Sequence, residues 1–339
     1  MNILTGTIRG LVAAGYAAIC CIFAGAAIGA ALGFAHPVLD LFNHAQPVLF
    51  YGSIVLMLFA PLFVRGAVLK PFVLTVAATG LVASSLVYIP EAVRGFAPRP
   101  PVPGGDRPVY TVMTFNVFGR NREPERLVAS ILEADPDILA LQEYSRDMRQ
   151  EIHRTLAEHY PNFQYCAGGE RAFVGLYAKF PFEPLNEDAC SSTIMSPDRT
   201  ARIIVRFEPE GGPPFSVATT HHDWPAPITR QAVQFETLAE ALSTVEPPVL
   251  LVGDFNSTPW SYALRNFVAV AGVTRHTYNI PTFPQIWHYL GDWRPIPALL
   301  PIDHVMTRGG IAIHSITTGD PAGSDHKPLL VTFSVGDPA

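Results

Sequence analysis

Charge is nearly missing from the first third of this 339-residue chain. Residues 1–106 hold five basic side chains (Arg9, Arg65, Lys70, Arg94, Arg99) and three acidic ones (Asp40, Glu91, Asp106). Three stretches in this region, Gly10–Phe34, Val48–Val64 and Pro71–Ile89, are predominantly apolar and have no charge at all. That gives no support to a transporter, whose spans carry the charges that mark an ion or substrate path. Cysteine is scarce as well. Cys20 and Cys21 sit inside an apolar run, and only Cys166 and Cys190 are left as a pair that an oxidising compartment would allow to join. Basic residues are also too few beyond the first third: residues 107–339 carry 18 basic and 26 acidic side chains, a net charge of −8. Duplex-coating proteins draw their affinity from cations that neutralise phosphates. Such a role is disfavoured, although local basic patches remain open.

What the first third does have is length of apolar sequence. The first run exceeds the roughly 20 residues that cross a bilayer, and two more follow it. It is also too long for the apolar core of a cleaved signal peptide. Three transmembrane helices, at about 10–34, 48–64 and 71–89, are expected. Gly25, Gly29 and Gly33 recur at every fourth position, the close-packing pattern of membrane helices. They could form a homodimer face or pack against the other spans of the same chain. Arg9 precedes the first span, Arg65 and Lys70 separate the second and third, and the loop between the first two holds Asp40 and no Lys or Arg. The positive-inside rule then places the N-terminus in the cytoplasm and everything after the third span outside, although Arg94, Arg99 and Arg107 pull the other way. The expected protein is integral to a bacterial inner membrane, with its C-terminal domain on the periplasmic or external side. Residues 1–94 form the membrane domain, 95–107 a Pro/Gly-rich tether and 108–335 a separate domain close to the lipid bilayer.

In that domain apolar strands end on polar residues again and again. Tyr110–Phe115 ends at Asn116, and Ile138–Leu141 ends at Gln142 and Glu143. Phe215–Thr220 ends at His221 and His222, and Val249–Val252 runs through Gly253 to Asp254 and Asn256. Helical spacing marks Pro124–Ala134, Ser145–His159 with Ser145 as cap, Ile228–Val245 and Tyr262–Val270. Further strands are expected at Phe163–Cys166, Phe173–Ala178, Ile203–Phe207, Pro301–Met306 and Leu329–Phe333. The Pro281–Pro301 stretch reads as a loop. Alternating strands and helices in irregular pieces fit a layered sheet sandwich flanked by helices.

Taken in order, the strings TFNVFG, LQE, THHDWP, GDFN, IDHV and SDHKP resemble those of the endonuclease/exonuclease/phosphatase superfamily over about residues 108–335. The resemblance implies a four-layered α/β sandwich and metal-dependent hydrolysis of a phosphate ester. Mg²⁺ or Mn²⁺ would be held by Glu143, Asn116 and Asp325, hard oxygen ligands suited to such cations. His326 would be the general base, oriented by Asp303, with Asp254 positioning or helping to deprotonate the attacking water. Asn256 and His221 would donate to the scissile phosphate, and Asn116 would help bind it. Trp224 would line the substrate groove or simply pack, and His222 and His304 would be supporting neighbours. Arg199 and Arg202 are candidate anion contacts.

The expected activity is that of a membrane-anchored phosphodiesterase or nuclease. Its substrate would be a nucleic acid, a nucleotide or a phospholipid head group. The alternative is a catalytically idle membrane scaffold that binds a partner. Phe283, Trp287, Tyr289 and Trp293 ahead of Asp303 would stack on bases, dip into lipid or pack beneath their loop.

Overall fold

The computed structural model describes residues 2–104, 108–166, 173–185, 200–289 and 292–336. Two compact units account for them, one of residues 1–96 with 260–265 and one of 97–259 with 266–339.

The first unit is helical: α1 (Asn2–Ala31), α2 (Pro37–Asp40), a 3₁₀ turn (Leu41–Ala45), α3 (Gln46–Phe63) and α4 (Leu69–Arg94). Three segments, Thr7–Ala31, Pro37–Phe63 and Leu69–Arg94, are long and apolar enough to cross a membrane. Large apolar side chains such as Leu11, Leu58 and Leu86 remain on their surface. The glycine row is used mostly within the chain. A Cβ on Gly29 would stand 3.1 Å from Phe42 and one on Gly33 2.8 Å from Asn43. Of the three glycines only Gly25 has open space around it. Four buried polar side chains of this unit, Asp40, Asn43, Gln46 and Ser84, form one hydrogen-bonded chain. Asn43 Nδ2 donates to Asp40 Oδ1 (2.8 Å) and Ala30 O (2.9 Å), Gln46 Nε2 donates to Asn43 Oδ1 (2.8 Å), and Ser84 Oγ donates to Gln46 Oε1 (2.6 Å). Asp40 also accepts from Ser261 Oγ (2.8 Å) and the Tyr262 and Ala263 N–H groups (2.6 and 3.0 Å), capping a helix start whose amides have no partner of their own.

The second unit runs β1 (Val109–Asn116), α5 (Pro124–Ala134), β2 (Ile138–Gln142), α6 (Arg146–His159), β3 (Asn162–Cys166), β4 (Val174–Ala178), β5 (Phe182–Pro184), β6 (Ala201–Phe207) and β7 (Phe215–His221). It continues through α7 (Arg230–Ser243), β8 (Val249–Asp254), α8 (Tyr262–Val270, shared with the first unit), β9 (Thr274–Arg275), β10 (Ile286–Tyr289), β11 (Asp292–Pro295), β12 (Asp303–Arg308), β13 (Ile311–Thr318) and β14 (Leu329–Val335). Two mixed six-stranded sheets result, β13-β14-β1-β2-β4-β3 and β5-β6-β7-β8-β12-β9, flanked by helices. This is the four-layered sandwich.

The apolar runs are continuous because these strands are buried on both faces. In β1 and β2, Val112, Ile138 and Ala140 point between the sheets and join Val217, Leu250 and Val305 from the other side. The alternate residues Met113, Phe115, Leu139 and Leu141 meet Leu127 and Ile131 of α5 and Ile152 and Leu156 of α6. Ser145 caps α6, its Oγ accepting from Met148 N–H at 3.2 Å.

Besides the short strands β5 and β9, which were not expected, two parts differ from the expectation. The stretch expected to be a loop contains the β10–β11 hairpin, with Ile286 opposite Pro295. Proline-rich flanks hide these short strands, and their partners are each other rather than either large sheet. Strand β13 was not foreseen either. It lies at a sheet edge, and its Ser, Thr and His residues leave an apolar run of only three residues, Ile311, Ala312 and Ile313. Cys190 and Arg199 fall outside the described residues, and with them the Cys166–Cys190 pairing.

Candidate active site

Strand register builds the site. β7 runs parallel to β8 with His221 beside Asp254, and β12 runs antiparallel to β8 with Asp303 beside Asp254. Cross-strand partners project from the same face. Three residues distant in sequence therefore stand in one row. On the other sheet Asn116 and Gln142 end β1 and β2 side by side. Asn116 Nδ2 then reaches across to Asp254 Oδ2 (2.9 Å), and Gln142 Nε2 to Thr219 Oγ1 (3.0 Å).

The last strand's approach supplies the remaining groups. Ser324 Oγ donates to Asn116 O (2.6 Å) and accepts from His326 N–H (3.0 Å), stapling the loop before β14 to the end of β1. This fixes His326, whose Nδ1 donates to Asp303 Oδ2 at 2.8 Å. His326 Nε2 lies 3.7 Å from Asp254 Oδ2, which His221 Nε2 approaches to 3.6 Å. Asn256 N–H bonds Asp254 Oδ1 (2.8 Å), and Asn256 Nδ2 lies 2.9 Å from His222 O and 3.3 Å from His221 Nε2. Glu143 Oε2 accepts from Gly119 N–H (2.8 Å), and Oε1 lies 3.4 Å from Asn116 Nδ2. Glu143 and Asn256 adopt φ of 52° and 45°, a conformation costly for side chains other than glycine. The surrounding hydrogen bonds hold them there.

Asn116, Glu143, His221, Asp254, Asn256, Asp303, Asp325 and His326 thus gather at one end of the sandwich. Trp224 stands further out, its ring 5.5 Å from Phe283, which in turn lies 4.9 Å from His326. Asn116 turns its amide nitrogen to the carboxylates while its oxygen accepts from Phe118 N–H (3.0 Å). That bond uses one of the oxygen's two lone pairs and leaves the other for a cation.

Charge is concentrated here. Burial opposes a proton on His326, but Asp303, Asp254 and Asp325 outweigh it and hold the ring's pKa up to about 10. Burial first, then Asp303, pushes Asp254 up to about 7. For Asp325, burial and the nearby Glu143 carboxylate together prevail over His326 and raise it to about 6. Glu143 is pushed up by burial, yet His221, the Gly119 N–H, His326 and Asn116 leave it below the ordinary carboxylate value. A divalent cation fits this donor set. Asp325 Oδ1 is buried without a hydrogen-bond partner, and it shares the site with a second carboxylate that is held ionised. Ligand atoms of Asp254, Asp303 and His326 also lie within 4.8 Å of one another. In that group, however, His326 Nδ1 is already committed to Asp303.

Two supports on α7, Gln231 and Gln234, were not foreseen, while His304 and His222 are the neighbours expected to support the site. Gln231 on α7 donates through Nε2 to Asp223 O (2.7 Å) and to Phe255 O and Asn256 O (both 3.2 Å), while Gln234 accepts from Asp223 N–H (2.7 Å). Nothing local marks a glutamine as more than a polar helix residue; only the two loops it joins give it a role. His304 Nε2 donates to Ser257 O (2.8 Å), and its Nδ1 accepts from Thr277 Oγ1 (2.8 Å). His222 is stacked 4.9 Å from Phe255 and 4.8 Å from Phe235.

Burial, then the neighbouring His221, lowers His222 to about 3; burial, then Arg275, does the same for His304. Both rings are neutral in the folded chain and bind protons near pH 6.5 once unfolded. The unfolded state therefore holds more protons below pH 6.5, and stability falls as pH drops from there toward 3, by roughly 1.4 kcal/mol per pH unit for each ring. Denaturant midpoints of the full chain in detergent between pH 7 and 4 should show this loss. In His222→Phe the acid slope should shrink by about one proton; an unchanged slope would remove His222 from the account.

A profile of the Endonuclease/Exonuclease/phosphatase family matches residues 113–326, more than half of the chain and all of the strand ends just described. The chain belongs to this family. Members of the family are phosphoester hydrolases. A UPF0294 protein of Vibrio campbellii (strain ATCC BAA-1116) is 25% identical over 240 residues, 67% of this chain and 78% of that protein. Among solved structures, an endonuclease/exonuclease/phosphatase family protein from Bacteroides thetaiotaomicron shares the fold with a TM-score of 0.50 and 14% identity, covering 68% of this chain and all of its own. An endonuclease/exonuclease/phosphatase from Beutenbergia cavernae DSM 12333 aligns with a TM-score of 0.48 and 17% identity, covering 68% and 72% of the two chains.

Proposed function

We propose that this family member is a membrane-anchored, divalent-metal-dependent phosphoester hydrolase of the phosphodiesterase or nuclease type. The observation that carries the reading is the buried His326–Asp303 pair at 2.8 Å, whose free ring nitrogen faces Asp254. Glu143 and Asp325, with Asn116 beside them, would hold Mg²⁺ or Mn²⁺, which offsets charge on the phosphoryl oxygens when bound.

The protein groups divide the rest of the work. Asp303 holds Nδ1–H and so leaves Nε2 of His326 facing the site. His326 and Asp254 share protons as one unit. With one proton between them, either the carboxylate or the imidazole offers a basic lone pair to water, and the other partner carries a donor. That proton acceptor meets the need of water attack on phosphorus. Asn256 and His221, next in the row, donate to the phosphoryl oxygens as charge builds there. Asn116 keeps Glu143 and Asp254 from drifting apart.

The anchor reading rests on the three apolar helical segments. With Arg9, Arg65 and Lys70 on one side and the Asp40 loop without Lys or Arg on the other, the hydrolase unit belongs on the outer face of an inner membrane. Spheroplasts expressing the full chain should hydrolyse externally added bis-p-nitrophenyl phosphate before lysis; activity that appears only after lysis would reverse the orientation. In phosphatidylcholine nanodiscs, chelator should abolish turnover and Mg²⁺ or Mn²⁺ restore it. Glu143→Gln should raise the metal concentration for half-maximal rate by at least ~10-fold. Full turnover in chelator would overturn the metal-dependent reading.

A further inference from the structure

Beside the catalytic row lies a cleft of about 410 Å³, a volume within the range of small-ligand sites. Phe118 and Trp293 form one wall, their rings 5.5 Å apart and nearly perpendicular. Phe118 is held at φ 60° by its N–H bond to Asn116 Oδ1. Arg120 and Arg122 line the rim, while Gln285 and Ser324 are the polar lining groups nearest the catalytic loop.

The cleft is tied to the reacting centre by covalent and hydrogen-bond neighbours. Ser324 bonds both Asn116 O and His326 N–H, and Gln285 N–H bonds Asp325 O at 2.8 Å. A phosphodiester bound at the row would have this space beside it for one of its two ester substituents.

Its charge narrows what that substituent can be. Arg126, the third arginine lining the cleft, is paired with Glu123 (2.9 Å) and Asp320 (2.8 Å). Arg120 and Arg122 have no carboxylate within ion-pair distance among the described residues. Two guanidinium groups of this kind suit a further phosphate and repel a cationic head group. The aromatic wall suits a planar ring, because base–aromatic stacking is tolerant of sequence and guanidinium planes add to it.

We infer that this cleft is a nucleotide subsite, taking the base and the additional phosphate of the nucleotide on one side of the scissile diester. The inference rests on the hydrolase reading and names its substrate class as nucleotide-containing diesters rather than choline phospholipids. The nucleotide of a single strand and that of a small dinucleotide present the same chemistry to the cleft.

Binding to the cleft is separable from turnover. The probe is deoxythymidine 3′,5′-bisphosphate, titrated calorimetrically into the full chain in phosphatidylcholine nanodiscs with chelator present. Phosphocholine is the cationic comparison. The wild-type chain should bind the bisphosphate and not phosphocholine. Arg120→Ala with Arg122→Ala should weaken binding at least tenfold. Trp293→Ala should weaken it at least fivefold, and Trp293→Phe, which keeps a ring and the hairpin packing, should restore most of the loss. No binding by the wild type, equal affinity in the arginine variant, or preference for phosphocholine overturns the subsite. In a parallel assay with Mg²⁺, the arginine variant should lose at least tenfold in kcat/KM on 5′-phosphorylated dithymidylate and less than twofold on bis-p-nitrophenyl phosphate. Equal losses on the two substrates overturn it as well. Binding without any turnover keeps the subsite and removes the hydrolase reading instead. A long single strand cleaved in preference to the dinucleotide identifies strands as the source, and the reverse identifies small dinucleotides.

Discussion

His326→Ala is expected to lower phosphodiester turnover by ~10²–10⁴-fold, the range for loss of a positioned acid or base, while the chain still folds. The ring is buried, bonded to Asp303 at 2.8 Å and 3.7 Å from Asp254, so its removal takes away the proton-sharing partner of the row. It also leaves two buried carboxylates facing each other across neighbouring strands, which drives Asp254 further toward its neutral form. Asp303→Asn should cost less in charge but still disturb the ring, because the amide can present a donor where the carboxylate accepts. Rates on bis-p-nitrophenyl phosphate, with circular dichroism to verify the fold, decide the matter. A variant within threefold of wild type would remove His326 from the chemistry.

Gly253→Ala should be the most damaging single methyl added to the sheet. Gly253 has φ of +146°, a conformation that side chains other than glycine rarely adopt, and an added Cβ would stand 2.1 Å from Thr220 O and 3.0 Å from Thr220 N. Neither neighbour can yield cheaply, since Gly253 lies opposite Thr220 in the parallel β7–β8 pairing and opposite His304 in the antiparallel β8–β12 pairing. Relief requires separating strands whose next residues are His221, Asp254 and Asp303. The expected loss exceeds ~4 kcal/mol, the range reserved for broken backbone geometry or buried networks, and turnover should fall with it. Thermal unfolding of the full chain in detergent measures the effect. A shift in Tm of under about 2 °C, the least that 1 kcal/mol produces in a domain of this size, would mean that the close approach is not maintained in solution.

Much of this architecture was legible in the residues. Strands buried on both faces are mostly apolar, so β2 and β8 announce themselves as short apolar runs and β1 and β7 by their aromatic and β-branched content, and each ends on more strongly polar residues. The helix cap at Ser145 was readable for the same local reason: its hydroxyl satisfies an amide three residues on. The β10–β11 hairpin and β13 were not readable, because a pairing partner defines a short or polar strand and local composition does not. The candidate site was named from motif order, while its supports were silent. Gln231, Gln234 and Ser324 look like ordinary polar residues until the sheets and loops converge on them.

The sequence by itself determined the uncharged apolar segments, the change of composition near residue 95, the alternation of strands and helices, and which polar residues end the buried strands. Hydrophobic burial and backbone periodicity act along the chain, and composition records them. Tertiary structure alone decided that His221, Asp254 and Asp303 form one row, that Asn116 reaches Asp254 from the other sheet, and that Arg120, Arg122 and Trp293 share a cleft. Register, sheet packing and loop closure bring together groups that no local interaction relates, and the proposed proton sharing depends on those distances.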